Sequence, residues 1–233
     1  MKAKPVTGVF AMIRTAFLIA AALAVAPLTA RAESAVTIPP PSTEAPAPGA
    51  GLETAVLAGG CFWGIQAVYQ HVKGVTNAVS GYAGGAQKDA DYETVSSGRT
   101  GHAESVRVTF DPKQISYGKI LQIYFSVAHN PTELNRQGPD SGPSYRSNIF
   151  YTSKAQQDVA SAYIAQLTKA KVFSQPIVTR IDPASAFYPA EEYHQDFLIK
   201  NPNYPYIVIN DLPKLASFKR LLPELYSDNP VRV

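Results

Sequence analysis

Cys61 is the only cysteine among the 233 residues, so it closes no internal disulfide, forms no CxxC redox pair and joins no multi-cysteine zinc site. What remains open to it is nucleophilic chemistry as a lone thiol. Its surroundings, Gly59-Gly60-Cys61-Phe62-Trp63-Gly64, suit that role, because glycines let backbone approach a ligand closely and two large aromatics flank the sulfur. At the start of a helix, free backbone N–H groups and the positive end of the dipole would favour a thiolate. The alternative is a small buried hydrophobe, as free cysteines often are.

Glu104 shares the parity of Val106, Val108 and Phe110 along an alternating segment, which turns its carboxyl group to the apolar face of a strand. Burial there raises a carboxyl pKa and lets the group carry a proton at neutral pH; at a wet sheet end it would be an ordinary acid. His102 has the same parity and is a second candidate partner, as a base for Cys61. The four histidines, His71, His102, His129 and His194, show no HxH or HExxH spacing, which argues against a metal site. His194 is expected to satisfy a local hydrogen bond and His71 to lie on a solvated surface. Tyr92, Asp140 and Tyr145 fall in turn-rich segments, where phenol and carboxyl groups can bind a polar ligand oxygen or serve packing alone.

Several elements must position these groups. Residues 54–58 read as a short buried strand, broken by Gly59-Gly60 before helical spacing at Phe62, Ile65, Val68, Tyr69 and Val72. Cys61 therefore sits on a strand-to-helix turn. Strands are predicted over Val75–Gly81, Ala103–Phe110, 148–152 and 176–181. Helices are predicted from Ser116 to Ala128, from a Ser153 cap to about Lys171, and near 190–199 and 213–222. Residues 129–144 form a loop long enough to be functional. Strands and helices interleave, with hairpin-like neighbours as well, which favours an α+β two-layer sandwich.

With 45% hydrophobic and 17% charged residues the chain can bury one core. The formal charge of +3 comes from 21 Lys and Arg against 18 Asp and Glu. Four of those cations, Lys2, Lys4, Arg14 and Arg31, precede the first acid, Glu33; without them the balance is 17 to 18, and no basic field supports nucleic-acid binding. Residues 1–32 have the layout of a signal peptide: basic residues, an uncharged apolar run over 15–26, and small residues around Ala30-Arg31-Ala32. The run is short for a membrane span, which needs about 20 apolar residues. Cleavage after Ala32, a periplasmic or otherwise exported location and no stable membrane association are the expectations. Residues 33–51 are Pro- and Ala-rich and read as a flexible or polyproline-like linker, followed by a globular domain over 52–228 and a short tail over 229–233.

The motifs together resemble the peptide methionine sulfoxide reductase A family. The matching segments are Gly60-Cys61-Phe62-Trp63-Gly64, Ser80-Gly81-Tyr82-Ala83-Gly84-Gly85, Asp91-Tyr92-Glu93-Thr94-Val95, Ser97-Gly98-Arg99-Thr100-Gly101-His102-Ala103-Glu104, and Asn135-Arg136-Gln137-Gly138-Pro139-Asp140 leading to Tyr145-Arg146-Ser147. They follow the family's order across roughly Thr54 to Phe218.

The resemblance implies a ferredoxin-like αβ plait and reduction of methionine-S-sulfoxide, free or in exported proteins and peptides. Cys61 would be the nucleophile, left as a sulfenic acid, and Glu104 the proton donor. Phe62 and Trp63 would seat the substrate methyl group, while Tyr92, Asp140 and Tyr145 bind its oxygen. No metal or organic cofactor is implied; an external thiol, from a thioredoxin-like protein or dithiothreitol, would reduce the enzyme. Two departures stand out. Pro143-Ser144 replaces the family's usual Thr-Gln, and Tyr204-Pro205-Tyr206-Ile207-Val208 lacks the recycling cysteines of many members. A one-cysteine peroxidase or thiol hydrolase using Cys61 with His102, and an exported peptide-binding module with an inert Cys61, are the rival readings.

Overall fold

The computed structural model describes residues 1–2, 35–44 and 51–233; the expected signal peptide, apart from its first two residues, lies outside the described residues. The elements, in chain order, are β1 (Glu53–Ala58), α1 (Phe62–Gln70), β2 (Val75–Ala83), α2 (Tyr92–Ser96), β3 (Ala103–Phe110), α3 (Tyr117–Ile123), a small hairpin of β4 (Arg136–Gln137) and β5 (Asp140–Ser141), β6 (Asn148–Tyr151), α4 (Lys154–Lys169), β7 (Arg180–Pro183), β8 (Phe187–Pro189), α5 (Phe197–Lys200) and α6 (Leu212–Leu221). Six strands form one sheet in the order β7-β6-β1-β3-β2-β8. Every pairing in it is antiparallel except that of β6 with β7, giving a mixed α/β fold.

Side-chain alternation sorts the two faces of the sheet. Leu57 of β1 and Val106, Val108 and Phe110 of β3 enter the main core with Ile65 and Tyr69 of α1, Ile120 of α3, Tyr163 of α4 and Phe218 of α6. Val56, Ala58, Ala103 and Phe150, of opposite parity, form a second, smaller cluster. Two of the buried tyrosines are tolerated because their hydroxyls find acceptors: Tyr69 donates to the Ile120 carbonyl at 2.9 Å and Tyr124 to the Ala58 carbonyl at 2.6 Å. Asp91, Ser116 and Ser153 accept from the backbone N–H groups of Thr94, Lys119 and Gln156 and so fix the starts of α2, α3 and α4.

Several expectations of the sequence reading change in the structure. The segment expected to be a flexible or polyproline-like linker is, over residues 35–44, an extended strap held to the domain rather than a free tether. Val36 exchanges bonds with Ser126, Ile38 is buried, and the Pro39 and Pro40 carbonyls accept from the side chains of Tyr163 (2.7 Å) and Gln166 (2.9 Å). Proline-rich extended backbone turns its carbonyls outward and unpaired, which is what those donors use. The helix expected to reach Ala128 changes at Tyr124 into a π turn, Tyr124–Ala128. The strand expected at 176–181 begins only at Arg180, since Val178 N–H is taken by the Pro131 carbonyl at 2.8 Å. The helix expected near 190–199 is split: a 3-10 turn, Glu192–His194, is separated from α5 by Asp196 in a left-handed conformation at φ 57°. Finally, His71 is buried rather than solvated, bonded to the Ala67 carbonyl and stacked on Tyr226. The C-terminal tail is also anchored, by Val231 N–H on the Gln70 carbonyl and Val233 N–H on Asp196. No helix among the described residues is long and apolar enough to cross a membrane.

Candidate active site

Cys61 is the N-cap residue of α1 and is buried. The turn that delivers it needs Gly60, whose φ of +95° is left-handed and whose missing Cβ would stand 2.7 Å from Gln137 Cβ. Burial pushes the thiol pKa well above its usual value; Glu104, wherever it ionises, and then Asp211 push it further, the Trp63 backbone N–H pulls the other way, and Asp140 adds a smaller push. The thiolate expected from the helix end is therefore not the resting form. Desolvation and surrounding acids outweigh one helix terminus, and the resting sulfur is a neutral thiol.

The strongest of those acids is itself protonated. Glu104 lies on β3 opposite Tyr82 of β2, only 2% exposed, and accepts a 3.1 Å hydrogen bond from Phe62 N–H, the residue after Cys61. Burial raises its carboxyl to about 8, the Phe62 bond resists the rise and Asp140 adds to it. Strand parity thus brings a proton-bearing carboxyl group to the head of the helix that carries the thiol.

Phenols and rings close the rest of the cup. Tyr92 opens α2, and burial, then the Glu104 charge, raise its pKa; Tyr145 is raised by burial, Glu104, Asp140 and Cys61 in that order. Both remain hydrogen-bond donors through the neutral range. Tyr145 is presented by a 3-10 turn, Pro143–Tyr145, with Pro143 in its first position and Ser144 buried beneath, so the departure at Pro143-Ser144 builds a turn that proline pre-sets. Asp140 of β5 accepts from the Tyr206 hydroxyl, and burial raises its carboxyl pKa. Trp63 stacks on Phe197 at 3.8 Å between centroids, makes edge-to-face contacts with Tyr204 and Tyr206, and donates its indole N–H to His194 Nδ1 at 3.1 Å.

Cys61, Phe62, Trp63, Tyr92, Glu104, Asp140 and Tyr145 are thus linked at one end of the sheet by contact or mutual charge. His102 is not joined to Cys61: its Nε2 meets the Ala86 carbonyl at 2.9 Å and its ring packs against Tyr82 and Tyr188. Sequence reasoning missed Tyr206, Glu191 and a buried ion pair, Asp211 with Lys214 at 3.5 Å, which occupies the space a side chain on Gly64 would need. The signal available for that pair was a charged i, i+3 spacing inside an otherwise apolar segment. Among the described residues no group of three His, Cys, Asp or Glu side chains could hold a metal ion.

A neutral thiol beside a protonated carboxylic acid, walled by aromatic rings and phenol donors, is the equipment of a thiol-based oxidoreductase acting on a polar oxygen carried by an apolar ligand. A family model described as peptide methionine sulfoxide reductase matches residues 53–224. Over 183 residues the chain is 64% identical to peptide methionine sulfoxide reductase MsrA 2 of Mesorhizobium japonicum, covering 78% of this chain and 94% of that protein. It is 50% identical over 193 residues to MsrA 2 of Synechocystis sp., covering 83% and 86%. Among solved structures, Mxr1 from Saccharomyces cerevisiae in reduced form superposes with a TM-score of 0.60 at 33% identity, covering 69% of this chain and 91% of that one. The chain belongs to the peptide methionine sulfoxide reductase A family.

Proposed function

We propose that the chain reduces methionine-S-sulfoxide, free or within exported proteins, to methionine by thiol chemistry at Cys61. The observation that carries this reading is the buried Glu104 carboxyl, held to about 8 at the head of the helix that bears the thiol. The sulfoxide oxygen takes the Glu104 proton as the Cys61 sulfur attacks the substrate sulfur; the thiol proton returns to Glu104. The hydroxyl so formed then passes from the substrate sulfur to the Cys61 sulfur as the new sulfur–sulfur bond breaks, releasing methionine and leaving a sulfenic acid; the substrate sulfur gains two electrons and the cysteine sulfur loses them. Tyr92, Tyr145 and Asp140 orient the oxygen, and Phe62 and Trp63 seat the methyl group. The neutral resting thiol suits such a cycle, because an ionised Glu104 would raise the thiol further and only a substrate that takes the proton lowers the barrier to attack.

Having no second cysteine, the sulfenic acid is captured by an external thiol, releasing water and leaving a mixed disulfide that a second thiol opens. The donor is a thioredoxin-like protein, with dithiothreitol serving in vitro. The N-terminal 32 residues export the chain, which is then cleaved to begin at Glu33 and repairs oxidised proteins outside the cytoplasm. The topology is best read as a plait: β1-α1-β2-β3-α3-β6 with β6-β1-β3-β2 as its sheet order is a split βαβ arrangement, extended by β7 and β8.

The deciding experiment omits reductant. A peptide carrying methionine-S-sulfoxide should yield about one methionine per chain by stoichiometry, with a dimedone adduct at Cys61 by mass spectrometry; dithiothreitol should restore turnover. Turnover of hydrogen peroxide but not of the sulfoxide would overturn the reading, and a disulfide-linked dimer as the main product would overturn the recycling scheme.

A further inference from the structure

The loop that follows β8 carries a histidine that the reaction above does not use. His194 is 2% exposed, and the residues that follow it are pinned. Gln195 donates to the Ser80 and Ala190 carbonyls, each at 3.0 Å, and accepts from Gln66 at 2.9 Å; Asp196 N–H donates to Gln66 Oε1 at 3.0 Å. The imidazole stands among the walls of the cup: ring centroids lie 5.0 Å from Phe62, 5.8 Å from Trp63 and 4.6 Å from Tyr92.

The hydrogen bond from Trp63 decides the tautomer. An indole N–H can only donate, so Nδ1 must offer a lone pair and the single imidazole proton must sit on Nε2. That nitrogen has no hydrogen-bond partner among the described residues. The charged group facing it is Glu191, whose Oε2 lies 3.9 Å away, beyond hydrogen-bond range. Glu191 is already engaged by the Tyr82 hydroxyl at 2.8 Å and Tyr92 N–H at 2.9 Å. The other ring neighbours, Phe62 and Trp63 from α1, Tyr92 from α2 and Tyr193 beside it, are uncharged.

We propose that His194 is a positioning residue for the sulfoxide site, a neutral, single-tautomer acceptor that holds Trp63 in register with Phe197 and Tyr92, and that protonating it releases the tryptophan wall. This rests on Trp63 seating the substrate, as in the reading above. A protonated ring turns an N–H toward the indole N–H, replacing a hydrogen bond by a repulsion. Burial lowers the His194 pKa, opposed by Glu191, so release belongs below the ordinary histidine range of about 6.5. Glu104 is already protonated there. The acid limb should therefore appear in KM more than in kcat.

Trp63 is the only tryptophan in the chain, so the emission reports on its surroundings, the His194 contact among them, and needs no substrate. Titrated from about pH 8 to about pH 4, wild-type emission should show a step below the ordinary histidine range, and His194→Asn, whose Oδ1 stands where Nδ1 stood, should abolish it. At about pH 8, His194→Phe should raise KM roughly three- to tenfold, as expected for one lost hydrogen bond, with a smaller change in kcat. His194→Asn should recover at least half of that loss. A step that persists in His194→Asn overturns the proposal, as does a wild-type KM in His194→Phe. Should His194→Phe fail to fold, the wild-type and His194→Asn titrations still decide. A wild-type chain that shows the step but turns over no sulfoxide overturns the functional reading and leaves the Trp63–His194 lock intact.

Discussion

The two ends of β3 present the same face of one strand to opposite uses. Val106, Val108 and Phe110 belong to the main apolar core, while Glu104, of the same parity and nearly as buried, meets the head of α1. Removal from water stabilises the first three, by about 25 cal/mol per Å² of apolar surface. For Glu104 it works against the charged form and holds a proton on the carboxyl that water would remove. One physical effect thus gives stability at one end and acidity at the other, and the residue type alone decides which.

The sharpest way to break this comparison is at the nucleophile. Cys61→Ser should abolish sulfoxide reduction while leaving the thermal transition nearly in place, since the oxygen fills almost the same volume; measurable turnover would remove Cys61 from the chemistry. Next in size, Glu104→Gln should lower kcat roughly 10²- to 10⁴-fold, because an amide cannot donate the proton. In the wild type the acid step should weaken as pH rises through about 8. Stability should follow with a definite sign. The carboxyl binds its proton more tightly folded than unfolded, so its contribution is fully present below the unfolded value of 4.5 and is lost as pH rises through about 8. Chemical denaturation of wild type against Glu104→Gln should then diverge by up to about 1.4 kcal/mol for each pH unit between; parallel curves would show that the carboxyl is not held protonated.

The core end should behave in the opposite way. Phe110 is fully buried at the far end of the same face, and Phe110→Ala should cost about 3–5 kcal/mol of stability. Its kcat, measured at a temperature where the variant remains folded, should stay near wild type. A large loss of kcat would mean that the two ends of β3 are coupled through the sheet.

The same contrast separates what the sequence discloses from what it withholds. The period-2 pattern of Ala103–Phe110 predicts β3 to the residue and sets the direction of Glu104 from the sequence alone, because alternation is a local property. Helix starts at Ser116 and Ser153 are legible for the same reason: a capping side chain bonds its own next turn. The ionisation of Cys61 is not local. It depends first on burial under the assembled fold and then on Glu104, Asp211 and Asp140, which arrive from three other segments, so a helix-end argument alone misjudges its sign. Tyr206 and His194 escape likewise, since their partners Asp140 and Trp63 lie 66 and 131 positions away. The strap over 35–44 gives no period to read, since most of its bonds run between backbone carbonyls and side chains elsewhere in the chain.

That strap supplies the smallest test. Tyr163 belongs to α4, far along the chain from Cys61, and its hydroxyl donates to the Pro39 carbonyl at 2.7 Å. If the segment were a loose tether, the bond would add nothing and Tyr163→Phe would be silent. With the strap docked, the substitution leaves a carbonyl without its donor and should cost about 1 kcal/mol, a fall in Tm of a few degrees for a domain of this size, with kcat unaltered. The decisive version is a double-mutant cycle. In a chain that starts at Leu52 the partner carbonyl is gone, so Tyr163→Phe should cost nothing further, and the two changes should couple by about the same 1 kcal/mol. Additive losses would instead place the worth of the Tyr163 hydroxyl inside the domain and leave the strap a passive passenger, binding nothing that the catalytic fold needs.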